Sequence, residues 1–574
     1  MTFLKIGMFG LSTLGSFQLI RGITKDKIDL FFLPSLTIAI QVTILFFAGI
    51  LNLLPEVSGL IYLVGLIALI MSLWKSKGLN FVKDYVNDGY IISVLIMIIM
   101  GMSVRGKLFS HYDNFSHWAM VVRHMLEVNH YPNFESILIR YQGYPLGSAT
   151  YIYYFAKMIG NGESIQMLAQ IYMIVAAVLP LFSFVNKRSF KIDFVFLTFV
   201  NFVFVYNIHA GDLLVDTLLP VVGICGLLFA KKHCVHNSCK LNFWLLSCYL
   251  VQIIQIKNSG IFFVAAILIV CSKYYWNKQS RFNNLGSAVF PFLSLVIWQK
   301  HCKYVFASAT TSKHAMTVEN YRLVMGDKTL EDIKTICKEM FRLSITSKDV
   351  VALLGIVLLI GCCVLFFKKG DWKDYKSCFL FTLIFYVCYQ IGMLGMYLFS
   401  MPGGEATSLA GSGRYLKTIL IAILMIYMAF AIKSFSDVIV NGKIKALSAG
   451  ILIICIFSFL YISQGKIYFA PTTVQNGEKR MWIENKREIY ALPMYDSYCM
   501  LIPSNDSGYS YYLLKYIFQS NDVSSKIVDS IDDLNSVSSK YILVYDKENE
   551  IINTWIREMY PEQEGNDVII REDM

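Results

Sequence analysis

The side chains best suited to chemistry gather at Ser110-His-Tyr-Asp-Asn-Phe-Ser-His-Trp118. Read as a helix from Asp113 to Val128, this stretch puts Phe115, Trp118, Ala119, Val122, Met125 and Leu126 on one face. Asp113, His117, His124 and Glu127 fall on the opposite face, with Met120 and Val121 among them. Such a helix is expected to lie along a membrane surface with its aromatics dipped into the interface. Asp113, at its start, has the chemistry of a general base. His117, one turn on, suits a hydrogen-bond partner or a fellow metal ligand, because a carboxylate and an imidazole at i and i+4 can share one ion. The same pattern fits Asp113 as a helix N-cap on a solvated polar face. No firm cofactor follows, and a divalent metal is compatible with this pair.

Other candidates are fewer and more scattered. Lys257 interrupts an apolar hairpin over 241–276, and an ionisable residue inside such a run is a functional candidate by default. The bland alternative is a lysine snorkelling at a tight turn. Arg414, in Gly411-Ser-Gly-Arg-Tyr415, has a guanidinium suited to bidentate phosphate contacts, and Glu405 in the same loop is its expected ion-pair partner. Asp212 and Asp216, at i and i+4, open the next apolar stretch, with Asp212 also readable as an N-cap. Tyr144 stands in a Tyr-Pro-Leu-Gly turn, where a tyrosine offers an amphipathic wall, as Trp118 does upstream. Cys234 and Cys239 share a loop with His233 and His236, but their spacing matches no standard zinc pattern.

Membrane helices are the elements that must hold these residues. The chain has 574 residues, 56% hydrophobic and only 16% charged, where a soluble domain carries about 25% charge. That excludes a soluble enzyme, a nucleic-acid-binding domain and a disordered chain. Apolar stretches long enough to span occur at 2–20, 30–53, 57–74, 88–104, 165–185, 192–208, 213–230, 241–256, 259–276, 285–302, 349–367, 377–400, 416–434 and 446–464. The fold expected is an all-α polytopic membrane protein with about 13–14 transmembrane helices. Seven basic loops, from Arg21–Lys27 to Lys433–Lys445, fall on one side of the membrane only if 145–160 does not cross it. That stretch is therefore expected to be interfacial or re-entrant.

With this orientation the loops 105–164, 209–212, 303–348 and 401–415 and the tail from 465 face outward. The tail differs in charge, with 11 Lys and Arg against 18 Asp and Glu, while the remainder holds 40 against 22. Its apolar runs Tyr498–Ile502, Tyr541–Tyr545 and Val568–Ile570 alternate with helical patterns at Tyr509–Phe518 and Glu550–Met559. A small extracytoplasmic α/β domain is expected there. The organisation read from sequence is thus helices over 1–104, a large outer loop over 105–164, a transmembrane core over 165–464 and a soluble domain over 465–574.

The order of these features resembles glycosyltransferase superfamily C, whose protein O-mannosyltransferases and aminoarabinose transferases share this layout. The resemblance rests on Asp113 just after a span, on the surface helix that follows, on the Tyr144-Pro145-Leu146 turn and on the outward tail. About three spans precede the acidic loop where one is usual, and the motif is Asp-Asn where an acidic pair is usual. The Asp-Asn-Phe-Ser-His-Trp string is also similar to one in bacterial cell-surface polysaccharide proteins. The resemblance implies a bacterial plasma-membrane enzyme with its active site facing outward. It implies a polyprenyl-phosphate sugar as donor, an extracytoplasmic glycan, lipid or protein as acceptor, membrane lipid as surroundings and no nucleic acid. In that scheme Asp113 is the base, Lys257 and Arg414 hold phosphate, and Asp212 with Asp216 forms the second acidic site. Two other classes share the composition. A polysaccharide polymerase or ligase usually carries a late, arginine-rich loop. A lipid-oligosaccharide flippase would favour repeat symmetry and charges along the middles of several spans.

Overall fold

The computed structural model describes residues 2–76, 79–185, 212–235, 239–275, 281–306, 318–440 and 477–571. The chain forms two compact units. A helical unit comprises Met1–Arg105, Gly143–Ala210 and Val215–Pro471. A mixed α/β unit comprises Gly106–Gln142, Gly211–Leu214 and Thr472–Met574.

In the helical unit, eight described helices are long and apolar enough to cross a membrane: Thr2–Thr24, Leu30–Ile50, Leu54–Lys75, Glu163–Phe184, Leu218–Val235, Leu330–Phe367, Lys369–Phe399 and Ser412–Ser436. Asp88–Ser103, Lys240–Ile256 and Gly260–Tyr275 are apolar but shorter. The span expected at 285–302 falls on the Arg281–Val305 helix, which carries Pro291 inside it. Those expected at 192–208 and 446–464 lie outside the described residues.

The breaks have local causes. The Leu33–Ile50 helix stops where Asn52 turns left-handed at φ 57°, and Pro55 opens the next helix, where a missing N–H costs nothing. The first and third helices meet through small residues. A Cβ on Gly15 would lie 1.8 Å from the Gly65 carbonyl oxygen, and Ser12 donates to the Tyr62 carbonyl at 2.7 Å. Close backbone approach through small residues is the usual way helices pack where no water drives them together.

Burial sorts the helices. Every residue of Leu218–Phe229 is buried. At this core, Ser35 and the Tyr249 hydroxyl lie 2.7 Å apart, and the Cys225 thiol donates to Ser35 at 3.3 Å. Other helices turn large apolar side chains outward, among them Leu60, Leu63, Ile67 and Ile70, and Leu380, Leu383, Ile384 and Val387. Stripes of that size are rare on proteins that face water, and they suit hydrocarbon. The Gly147–Ile159 helix has 13 residues, about 20 Å at the α-helical rise, too short for a bilayer core of about 30 Å. It is enclosed by protein, with Tyr151 to Tyr154 almost fully buried. As expected for 145–160, this helix does not span.

The α/β unit is built on a four-stranded sheet in the order β2-β1-β3-β4, with β1 Tyr498–Leu501, β2 Val523–Lys526, β3 Tyr541–Val544 and β4 Val568–Ile570. β1 runs parallel to β2 and β3, and β4 is antiparallel to β3. Parallel neighbours need a crossover, and the Tyr509–Phe518 helix supplies the one between β1 and β2. On one face Cys499, Leu501, Ile542 and Val544 pack with Ile552, Trp555 and Ile556 of the Glu550–Met559 helix. On the other, the Tyr498 ring stacks on Phe518 at 3.7 Å.

Candidate functional site

The Asp113 segment belongs to the α/β unit, and its local geometry departs from the expected helix. Asn114–Trp118 forms a π-helical turn, and the α-helix proper runs from Ala119 to Val128. A π turn closes i→i+5, so the angular spacing of an α-helix no longer holds across it. His117 and His124, expected on a solvated face, are buried, as are Met120 and Val121. Asp113 remains partly exposed at the start of the turn, and Glu127 is exposed at the far end. Burial pushes the His117 imidazole down to about 3. Burial, then the neighbouring His130, lowers His124 to about 4. Both rings are neutral near pH 7.

Most aromatics of this segment are packed against protein. Phe115 is fully buried, its ring 5.3 Å from that of Tyr516 and 5.8 Å from that of Tyr509. Tyr112 meets Tyr512 edge-on at 5.2 Å. Trp118 is half-buried and lies 4.8 Å from the His117 ring. Arg480, 2% exposed, donates to the Phe109 carbonyl at 2.6 Å and lies over the Phe115 and Tyr516 rings. Arg123 donates to the Tyr516 carbonyl at 2.9 Å, and the Tyr509 hydroxyl to the Ser110 carbonyl at 3.0 Å. The first loop from 106 to 142 and the tail thus share one core.

Asn114, the second residue of the Asp-Asn motif, joins two acidic segments. Its Oδ1 accepts from the Leu213 N–H at 2.9 Å, with Asn114 fully buried. Next to Leu213, Asp212 is buried and accepts from the Leu214 N–H at 3.0 Å. The expectation that Asp212 and Asp216 open a helix together is corrected here. The helix begins only at Leu218, and the two acids belong to different units.

Asp216 stands at the centre of a charged cluster in the helical unit. Lys257 donates to its Oδ1 at 2.8 Å, and Arg414 lies 3.8 Å from its Oδ2. Lys257 is extended between the Lys240–Ile256 and Gly260–Tyr275 helices, and its Nζ sits 4.7 Å from the Tyr415 ring centroid. Gly260 makes the hairpin possible, since a Cβ there would meet the Ile253 carbonyl oxygen at 2.2 Å. The Ser412–Val440 helix is pinned at its start: Thr418 donates to the Asp216 carbonyl at 3.1 Å and Tyr389 to the Tyr415 carbonyl at 3.1 Å.

The Tyr144 turn packs against the same hairpin. A Cβ on Gly147 would sit 2.7 Å from that of Gln255, two residues before Lys257. Trp298 donates to the Gly143 carbonyl at 3.3 Å. Asp216 meets Arg414 here, and Glu405 lies on the short Gly403–Thr407 helix just before it. Among the described residues, no group of three or more His, Cys, Asp or Glu side chains is arranged to hold a metal ion.

No family model and no curated protein matches this chain.

Two arrangements are therefore on hand. One is a pair of acidic segments, those of Asp113 and Asp212, joined by the Asn114–Leu213 hydrogen bond. The other is a lysine and an arginine gathered around one carboxylate among apolar helices. The first can accept a proton, and the second can receive an anion in exchange for its carboxylate. Arg480 and Arg123 carried no sequence signal, because each acts through partners far away in the chain.

Proposed function

We propose that this chain is an integral membrane glycosyltransferase that moves a sugar from a polyprenyl-phosphate-linked donor to an extracytoplasmic acceptor such as an envelope glycan. Asp113 takes the proton of the acceptor hydroxyl as that oxygen attacks the anomeric carbon. The leaving lipid phosphate is already anionic, so it needs cations rather than a general acid. Lys257 and Arg414 supply them, and Asp216 keeps both side chains in place before the donor arrives. The observation that carries this reading is the Asn114–Leu213 hydrogen bond, which draws the Asp113 and Asp212 turns into one compact unit.

The test compares envelope glycans of the native host, a strain lacking the chain, and that strain carrying Asp113→Asn at normal abundance. Deletion is expected to remove a sugar from one glycan, and the variant is expected to leave it missing. Full restoration by Asp113→Asn would remove Asp113 as the base. A deletion strain with every envelope glycan unchanged would remove the transferase reading itself.

A further inference from the structure

The α/β unit holds two cations that the reaction above does not use. Lys515 lies on the Tyr509–Phe518 helix and is only 6% exposed. Among the described residues neither Lys515 nor Arg140 forms an ion pair, and for the buried Lys515 this is unusual, since buried charges in proteins are almost always paired. The two charges sense each other, and the Lys515 ammonium is held down at about 8 by burial first and by Arg140 second. Such an arrangement is costly unless something anionic completes it.

The surroundings are aromatic. Arg140 is exposed, donates to the Tyr512 hydroxyl and lies over the Tyr512 ring. Tyr511 and Tyr512 are edge-to-face at 5.0 Å, and Tyr112 packs on Tyr512 from the Asp113 side. Tyr511, Tyr512 and Lys515 share one face of their helix by its period. Hydroxyls and rings of this kind are suited to a saccharide, and two cations balance a phosphate monoester, which carries about −1.5 to −2 near neutrality.

We propose that Lys515 and Arg140, walled by Tyr112, Tyr511 and Tyr512, form a binding site for a phosphate monoester next to Asp113. The role of that phosphate as part of the acceptor rests on the transferase reading, and the site itself does not. A phosphate on a saccharide and the phosphate of a prenyl carrier share this chemistry.

The experiment measures binding to the full chain in detergent, without turnover, using glucose 6-phosphate, glucose and farnesyl phosphate. The phosphate compounds are expected to bind and glucose is not. Lys515→Met and Arg140→Gln are each expected to weaken phosphate binding about tenfold or more, as loss of one charge-assisted contact does. Glucose 6-phosphate binding alone assigns the site to the acceptor, and farnesyl phosphate binding alone assigns it to the carrier. Lys515→Met removes a buried charge and adds no cavity, so its melting temperature is expected to equal or exceed that of the native chain. Phosphate is expected to raise the melting temperature of the native chain only. Absence of phosphate binding, or binding unchanged in both variants, overturns the site. Because no sugar transfer is read, failure here leaves the transferase reading standing, and failure of the transferase reading leaves the phosphate site standing.

Discussion

At the residue scale, the two buried histidines of the Asp113 segment give this region a built-in pH dependence. His117 and His124 titrate near 3 and 4 in the folded chain, against about 6.5 when unfolded. The unfolded chain therefore binds more protons between those values, and stability rises with pH across that window. It is fully present above about 6.5 and is lost as pH falls toward 4 and then 3. Each group contributes a slope of up to about 1.4 kcal/mol per pH unit. Thermal unfolding of the detergent-solubilised chain between pH 4 and 8 checks this. A His117→Leu/His124→Leu variant is expected to lose most of the acid-side decline, and the same decline in both proteins would rule the histidines out as its cause. Asp113 was legible in the sequence because its type and its place after an apolar run point to it. The burial of His117 was not, because the π turn that rotates it inward leaves no mark in residue spacing.

At the element scale, the cluster around Asp216 depends on three pieces of chain: the segment before Leu218, the Lys257 hairpin and the start of the Ser412–Val440 helix. Asp216 and Lys257 are well shielded, with side chains 16% and 23% exposed. Removing one partner from such a pair leaves a shielded charge poorly compensated and costs about 3 kcal/mol. Asp216→Asn and Lys257→Met are therefore each expected to lower stability by about that amount, measured by thermal or denaturant unfolding. The double variant is expected to recover most of it, because no unpaired lysine or aspartate remains. Under the transferase reading it is still inactive, since Lys257 is gone. Additive losses in the double variant would show that the pair does not couple. Sequence alone singled out Lys257 and Arg414, since cations in apolar stretches stand out. It named Glu405 as a partner of Arg414 and did not name Asp216, because sequence reasoning favours near neighbours. The Asp216 partnership links positions 41 residues apart for the Lys257 hydrogen bond, which residue spacing cannot reveal.

At the scale of the whole molecule, hydropathy made the helices legible, and apolar runs exposed three of the four strands. β2, Val-Ser-Ser-Lys at the sheet edge, was missed because it is polar and short. The sharing of one core by the 106–142 segment and the tail was also missed, since it depends on contacts nearly four hundred residues apart, such as those of Arg123 and Tyr509. Arg480 is the residue on which that shared core most depends. Its guanidinium is buried, donates to the Phe109 carbonyl, contacts Glu484 at 3.4 Å and lies over two aromatic rings. Arg480→Met keeps much of the side-chain volume but leaves that carbonyl without its donor and Phe115 without its cation. Backbone amides from Phe109 to Val128 are then expected to exchange hydrogen about tenfold faster, while those of Leu33–Ile50, in the helical unit, stay as slow as before. Because Asp113 lies within the loosened stretch, the same variant is expected, under the transferase reading, to lose transfer activity with its abundance unchanged. Unaltered exchange over 109–128 would mean that the aromatic contacts hold the acidic turn without Arg480.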